Sequence, residues 1–181
     1  MIEVLVSMVI LLLGILGLAG LMVTSQRAET ESYQRSQALL LLQDMVGRIN
    51  ANRKVAACYI TTDSTTSAPT FLGVGSTFTP NCALGTIQAD TQANNDMAAW
   101  GNLLAGASEQ LGGSNAGAMV GARGCISGNP TTGIYQVSVA WQGIVSTTAA
   151  PAGLTCGTGQ YGADDSLRRV VSVPLQIANL N

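Results

Sequence analysis

Residues 4–23 run for twenty positions without a charge, VLVSMVILLLGILGLAGLMV. Wound as a helix at 1.5 Å per residue, that run is about 30 Å long, the thickness of a bilayer's hydrocarbon core. A helix that is apolar on every side is not the surface helix of a soluble domain. A secretory signal peptide is the competing reading. Against it, the run is longer than a typical h-region, no basic n-region precedes it and no A-x-A cleavage site follows. The run is therefore read as a membrane span. The positive mean hydropathy of the whole chain, +0.32, is concentrated there. Beyond about residue 50 the sequence is rich in Gly, Ala, Thr and Ser, as expected of a polar head attached to a membrane segment.

Glu3 stands at the mouth of the apolar run with no cation near it in sequence. Three readings are open. The acid complements the positive end of the helix dipole, it awaits a cationic partner inside the membrane, or it stays wet at the interface. Gly14, Gly17 and Gly20 recur every third residue within the span. In water each costs a helix about 1 kcal/mol relative to alanine, while in lipid glycine lets helices approach closely. They mark a packing face or a place where the helix unwinds.

The helical pattern continues beyond the span. Ala38, Leu42, Met45 and Ile49 fall at spacings of four, three and four, one face of a helix, and no proline occurs before Pro69. These features predict one helix from about residue 2 to about residue 53, near 75 Å long. Residues 2–23 form its apolar half and 24–53 its amphipathic half, with the head expected over 54–181.

Composition narrows the chemistry. The chain has no histidine, which removes Ser-His-Asp and Cys-His catalysis and the common His-containing zinc sites. No nucleophile has a base to activate it, so an enzyme is not expected. A net charge of −2 with only 10% charged residues leaves no electrostatic footprint for nucleic acid. Asp164 and Asp165 with Gln160 offer oxygen ligands for calcium, but no EF-hand spacing exists and the aspartates read as solvated. No metal and no cofactor are expected. Arg168 and Arg169 read as a solvated strand entrance. The glycines at 112, 113, 117, 121 and 124 lack the strand-to-helix setting of a dinucleotide loop and read as loop.

Cys58, Cys82, Cys125 and Cys156 form no C-x-x-C pair. An even set of widely spaced cysteines reads as two disulfides and an oxidising compartment. Three pairings are possible. Cys58–Cys82 with Cys125–Cys156 is favoured, because each then closes a moderate loop and staples a poorly structured segment. Residues 54–95 read as irregular. Asp96 is suited to cap a second helix over about 97–110, with Trp100 as core and Gly112-Gly113 as its end. Cys125 and Ile126 suggest a short strand turned by 127–133. Tyr135, Val137, Val139 and Trp141 alternate as one strand face, and Val171, Val173, Leu175 and Ile177 as another. Pro174 puts the latter strand at an edge or turns that position outward. The fold class is α+β, an antiparallel sheet packed on the amphipathic half of the long helix, with a second short helix.

The opening IEVLVS at 2–7, followed by an uninterrupted apolar helix, resembles the class III signal of type IV pilins and pseudopilins. Those mature chains begin F-T-L-I-E after a glycine cleaved by prepilin peptidase. Met1 stands where the leucine would be, and the leader, glycine and N-methylated phenylalanine are missing, so the full gene product is expected to be longer. Four internal segments resemble the PilV minor pilins: YQRSQA at 33–38, QDMVGRINANR at 43–53, VSVAWQG at 137–143 and RRVVSVP at 168–174.

The resemblance implies the type IV pilin fold, with 54–95 joining the long helix to the sheet. It implies a single-pass inner-membrane protein with a periplasmic head, later assembled into an extracellular pilus with the major pilin, other minor pilins and the assembly machinery. Its role would be structural, priming assembly or sitting near the tip, with effects on adhesion and twitching motility. Glu3 matches the acid that neutralises the N-terminal amine of a neighbouring subunit. Many family members carry a proline near the glycine cluster. Here Gly20 lies in that region without one, so unwinding would rest on the glycines. A minor pseudopilin of type II secretion is the alternative, and a membrane-tethered binding module that never polymerises is a third class.

Overall fold

The computed structural model describes residues 2–62, 69–108, 110–112, 114–115 and 119–178. It divides into two compact units, residues 1–33 and 34–181. Helix α1 spans Ile2–Ala51, with Glu3 in its first turn and Arg48 in its last. The remaining elements belong to the second unit. A 3-10 helix occupies Arg53–Tyr59, and strand β1, Leu72–Gly73, precedes helix α2, Ile87–Leu104. A small hairpin follows from β2, Gln110–Leu111, and β3, Ser114–Asn115. Three longer strands complete the fold: β4, Arg123–Asn129, β5, Ile134–Gln142, and β6, Arg168–Gln176. The main sheet is antiparallel in the order β1-β4-β5-β6. A long N-terminal helix, a second helix and this sheet make the α+β architecture of the type IV pilin fold.

One face of the sheet buries Ile126, Tyr135, Val137, Val139 and Trp141. Against it pack Ala38, Leu42, Met45 and Ile49 of α1, and Ala93, Met97, Trp100 and Leu104 of α2, in one core cluster. Removing such large side chains from water stabilises the fold by roughly 1.5–3 kcal/mol each. The ring of Trp100 crosses the sheet at Gly124, where an added Cβ would collide with it, so β4 needs glycine there. The Trp100 indole Nε1–H donates to the Leu41 carbonyl of α1 at 2.8 Å, which satisfies its one polar group inside the core.

The second helix differs from the sequence expectation. It begins ten residues earlier, capped by Thr86, whose hydroxyl accepts from Ala89 N–H at 3.3 Å. It ends at Leu104, well before Gly112; Gly113 and Gly117 lie outside the described residues. Asp96 is no cap. It is buried in mid-helix as a shared acceptor: its carboxylate takes Arg48 Nη1 at 3.0 Å, Gln92 Nε2 at 2.8 Å and Tyr59 Oη at 2.7 Å. Arg48 is also held by Asp44 at 2.8 Å, and Asn52 Nδ2 donates to the Ala89 carbonyl at 2.8 Å. An Asx residue before an apolar run suits a cap by local rules, but two distant donors and Gln92, one helical turn back, override the local use.

The described residues of 54–95 likewise hold more regular structure than the sequence suggested. Besides the 3-10 helix, Thr61 N–H donates to the Ile126 carbonyl at 2.8 Å, and Ile126 N–H donates to Thr61 Oγ1 at 2.9 Å. Strand β4 is also longer than Cys125–Ile126, because all seven of its residues pair with β5.

Strand β6 pairs with β5 alone and is an edge strand. Gly143 N–H donates to the Leu167 carbonyl, and Ile177 N–H to the Gly133 carbonyl, each at 2.8 Å. Antiparallel alternation then turns the odd-numbered residues of β6 inward and Val170, Ser172, Pro174 and Gln176 outward. Proline thus interrupts the outward donor row without costing a ladder bond. Pro174→Val restores that donor, and is expected to give edge-paired dimers of the detergent-solubilised chain. Sedimentation or cross-linking showing the same monomer as wild type would refute this.

Burial raises Tyr59, Tyr135 and Tyr161 above the ordinary tyrosine value, Tyr59 with further help from Asp96. A group raised in the folded state contributes stability fully below its unfolded value and loses it as the pH climbs. Denaturant stability of the full chain in detergent should therefore be level from pH 7 to 9 and fall above about pH 10. Tyr59→Phe should lessen that alkaline loss.

Candidate functional site

In the first unit, α1 shows a surface that nothing in the unit covers. The large apolar residues from Ile2 to Val23 are 47–75% exposed. Mean hydropathy reaches 2.8 over an 18-residue window, so this helix is long and apolar enough to cross a membrane. Its hydroxyls are turned back on the backbone: Ser7 Oγ donates to the Glu3 carbonyl at 2.7 Å and Thr24 Oγ1 to the Gly20 carbonyl at 3.0 Å. Such back-bonding removes polar hydrogens from an apolar surface. Among the described residues, none forms a hydrogen bond or ion pair with the Glu3 carboxylate.

Gly14, Gly17 and Gly20 lie on this helix, and a Cβ added at any of them would meet nothing within 4 Å. The chain's own packing therefore does not require glycine at these positions. What remains to explain them is another molecule packed on the helix, or the ease of bending it.

In the second unit the sulfurs pair as Cys58–Cys82 and Cys125–Cys156, with sequence separations of 24 and 31. The first bond joins the 3-10 helix to the segment leading into α2. The second joins β4 to the 143–167 loop over the sheet face opposite the main core, where Cys125, Ala140, Cys156 and Tyr161 form a second cluster.

Arg168 is not a solvated strand entrance. It is 5% exposed, and its Nη1 donates to the carbonyls of Leu154 and Cys156 at 2.5 and 3.1 Å, while Asp165 lies 3.3 Å from its Nε. Arg169 Nη2 donates to the Val145 carbonyl at 2.6 Å. The two arginines pin the long loop by its carbonyls. The aspartates are also engaged: Asp165 accepts Gly159 N–H at 2.9 Å, and Asp164 accepts Ser166 N–H at 3.1 Å, which holds Asp164 below the usual carboxylate value.

Sequence reasoning missed two features of the head. Arg123 lies between the rings of Phe71 and Tyr161, 5.0 and 4.9 Å from their centroids. The Asp96 network lies beside an open groove between α1 and α2, lined by Gln43, Gly47, Asn52 and Gln92. The Asp44–Arg48 and Gln92–Asp96 pairs, each four residues apart, left the local signal. Among the described residues beyond Lys54, every charged side chain has a partner within the chain.

With this geometry in hand, residues 20–100 match the family model for type IV pilin Tt1218, the Tt1218-like group. The match runs from Gly20 through the first disulfide and Asp96 to Trp100, and leaves Glu3, Gly14, Gly17 and strands β4–β6 outside it. It covers under half of the 181 residues and supports the type IV pilin superfamily. Neither a curated protein nor a solved structure matches the chain. The apolar helix and the pilin likeness together are consistent with membrane anchoring and pilus assembly.

Replacing Gly14, Gly17 and Gly20 together with alanine should leave the purified chain folded in detergent. Its helicity by circular dichroism should be equal or greater, since each replacement favours the helix by up to about 1 kcal/mol. A loss of helicity would mean that the glycines serve the isolated chain.

Proposed function

We propose that the chain is a minor pilin. Its apolar half-helix holds it in the inner membrane with the head in the periplasm, and later packs among the helices of the major pilin and other minor pilins in a type IV pilus. The observation that carries this reading is a helix whose apolar surface is bare along residues 2–23 and interrupted by one acid, Glu3. A helix meant only for lipid gains nothing from that acid, whereas a helix that leaves lipid for a bundle of like helices can use it to select partners. Glu3 then neutralises the N-terminal amine of a neighbouring subunit, and Gly14, Gly17 and Gly20 allow close packing or local unwinding.

The role is structural rather than catalytic, in priming assembly or in a subunit near the tip that bears on adhesion and motility. The stapled head supports it by offering a rigid surface. A minor pseudopilin of type II secretion would use the same helix in protein export.

Glu3→Val should leave the protein in the inner-membrane fraction and remove it from filaments sheared off piliated cells, read by mass spectrometry of head peptides. Incorporation at the wild-type level would end the assembly role of Glu3. A wild-type chain confined to the inner membrane of piliated cells would favour the secretion alternative.

A further inference from the structure

The two disulfides sit in different surroundings. Cys125 and Cys156 are 4% and 3% exposed, and their bond is closed in by Ala140 and Tyr161. In the other pair Cys58 is only partly buried, while Cys82 is 8% exposed. By residue exposure the first bond is therefore the more open of the two, and its more open end is Cys58.

The far sulfur of that accessible bond faces a carboxylate. Asp90 Oδ1 lies 2.9 Å from Cys82 Sγ. The aspartate is fixed there because the same oxygen accepts Gly85 N–H at 2.8 Å and Leu84 N–H at 3.3 Å. The Cys82 backbone is fixed as well, its N–H donating to Asn94 Oδ1 at 2.7 Å. In the oxidised chain Cys82 Sγ carries no proton, so the contact sets a carboxylate against a sulfur without the hydrogen that would make it favourable. Any negative charge arriving on that sulfur meets the charge of Asp90.

We propose that Cys58 is the point at which external thiols and disulfides exchange with this protein, and that the Asp90 carboxylate retards opening by opposing the charge on the departing Cys82 sulfur. In the opening direction a thiolate RS⁻ attacks Cys58 Sγ. The bond between Cys58 and Cys82 breaks, RS becomes bonded to Cys58, and Cys82 leaves with the electron pair and takes a proton from water. A second RS⁻ attacks the external sulfur of that mixed disulfide, releasing RSSR and the Cys58 thiolate. Two thiols are oxidised and one disulfide is reduced.

Closure runs through the same mixed disulfide. Asp90 opposes negative charge on the sulfur it faces, so Cys58 is the thiol that attacks an oxidant RSSR, and Cys82 then closes the bond on losing its proton. A poorer leaving thiol departs more slowly and a less ionised thiol attacks more slowly. Both effects assign first contact to Cys58.

The test uses the full chain in detergent at pH 7.5, with reduced glutathione as the reductant, acid quenching and peptide mass spectrometry. Cys58–Cys82 should open before Cys125–Cys156, with the first glutathione adduct on Cys58. Asp90→Asn keeps an oxygen for Leu84 and Gly85 N–H while removing the charge, and should speed opening about tenfold. A purely structural Asp90 would leave that rate unmoved, and a change of less than threefold overturns the guard. An adduct first on Cys82, or prior opening of Cys125–Cys156, overturns the assignment of Cys58.

A second measurement does not depend on that variant. With oxidised glutathione, Cys58 in the Cys82→Ser chain should react about fivefold faster than Cys82 in the Cys58→Ser chain. Equal rates, with Cys125–Cys156 intact in both, would refute the proposal.

Discussion

Asp96 is a carboxylate taken almost wholly out of water, and the head is arranged around satisfying it. Leaving such a charge unpaired would cost several kcal/mol. Its three donors come from different places: Arg48 from α1, Tyr59 from the 3-10 helix, and Gln92 from α2 itself. The apolar contacts of Trp100, Leu42 and Met45 tolerate small sliding movements, because dispersion and burial have no direction. The hydrogen bonds to Asp96 do not. They fix the azimuth of α1 against α2 within the second unit, and so decide which α1 residues enter the core. Once Ala38, Leu42, Met45 and Ile49 are turned inward, the sheet has a surface to cover and Gly124 has a ring to accommodate.

Much of this was written in short-range pattern. The apolar run at 4–23, the spacing of Ala38, Leu42, Met45 and Ile49, and the alternation from Tyr135 to Trp141 each repeat with the period of their element, and periodicity survives without tertiary context. Asp96 was misread for the opposite reason. Nothing within a few residues reveals that two of its partners, Tyr59 and Arg48, are 37 and 48 positions away. The start of α2 was missed because its buried face carries few large apolar side chains before Trp100: Ala89 and Ala93 are small, and Asp96 stands beside Met97. Arg168 was misjudged because an arginine beside another arginine usually stays in water, whereas here unpaired loop carbonyls draw it inside. The candidate assembly residues differ again. Glu3 and the three glycines are conspicuous in sequence because they break the rule of an apolar helix, and the described residues of a single chain offer no partner for them.

The head carries an uncommon surface. Its described charges beyond Lys54 are occupied in holding loops, strands and helices together, and large apolar side chains such as Leu84, Ile87, Val120 and Ile134 are among the groups left facing water. Long-range electrostatic steering depends on charge, whereas recognition at such exposed apolar side chains rests on short-range fit. A protein of this kind meets partners more effectively when confined with them, as a membrane helix would do.

The two disulfides close separate, successive loops and do not interlock. For a chain loaded in tension between its ends, that arrangement withholds the two looped segments, with sequence separations of 24 and 31, from extension. At about 3.4 Å per residue, roughly 190 Å of contour stays sequestered even when every hydrogen bond in the head has failed. Under force the head would yield a short tether rather than a long one, and the residues outside the two loops set how far it can stretch before covalent bonds carry the load.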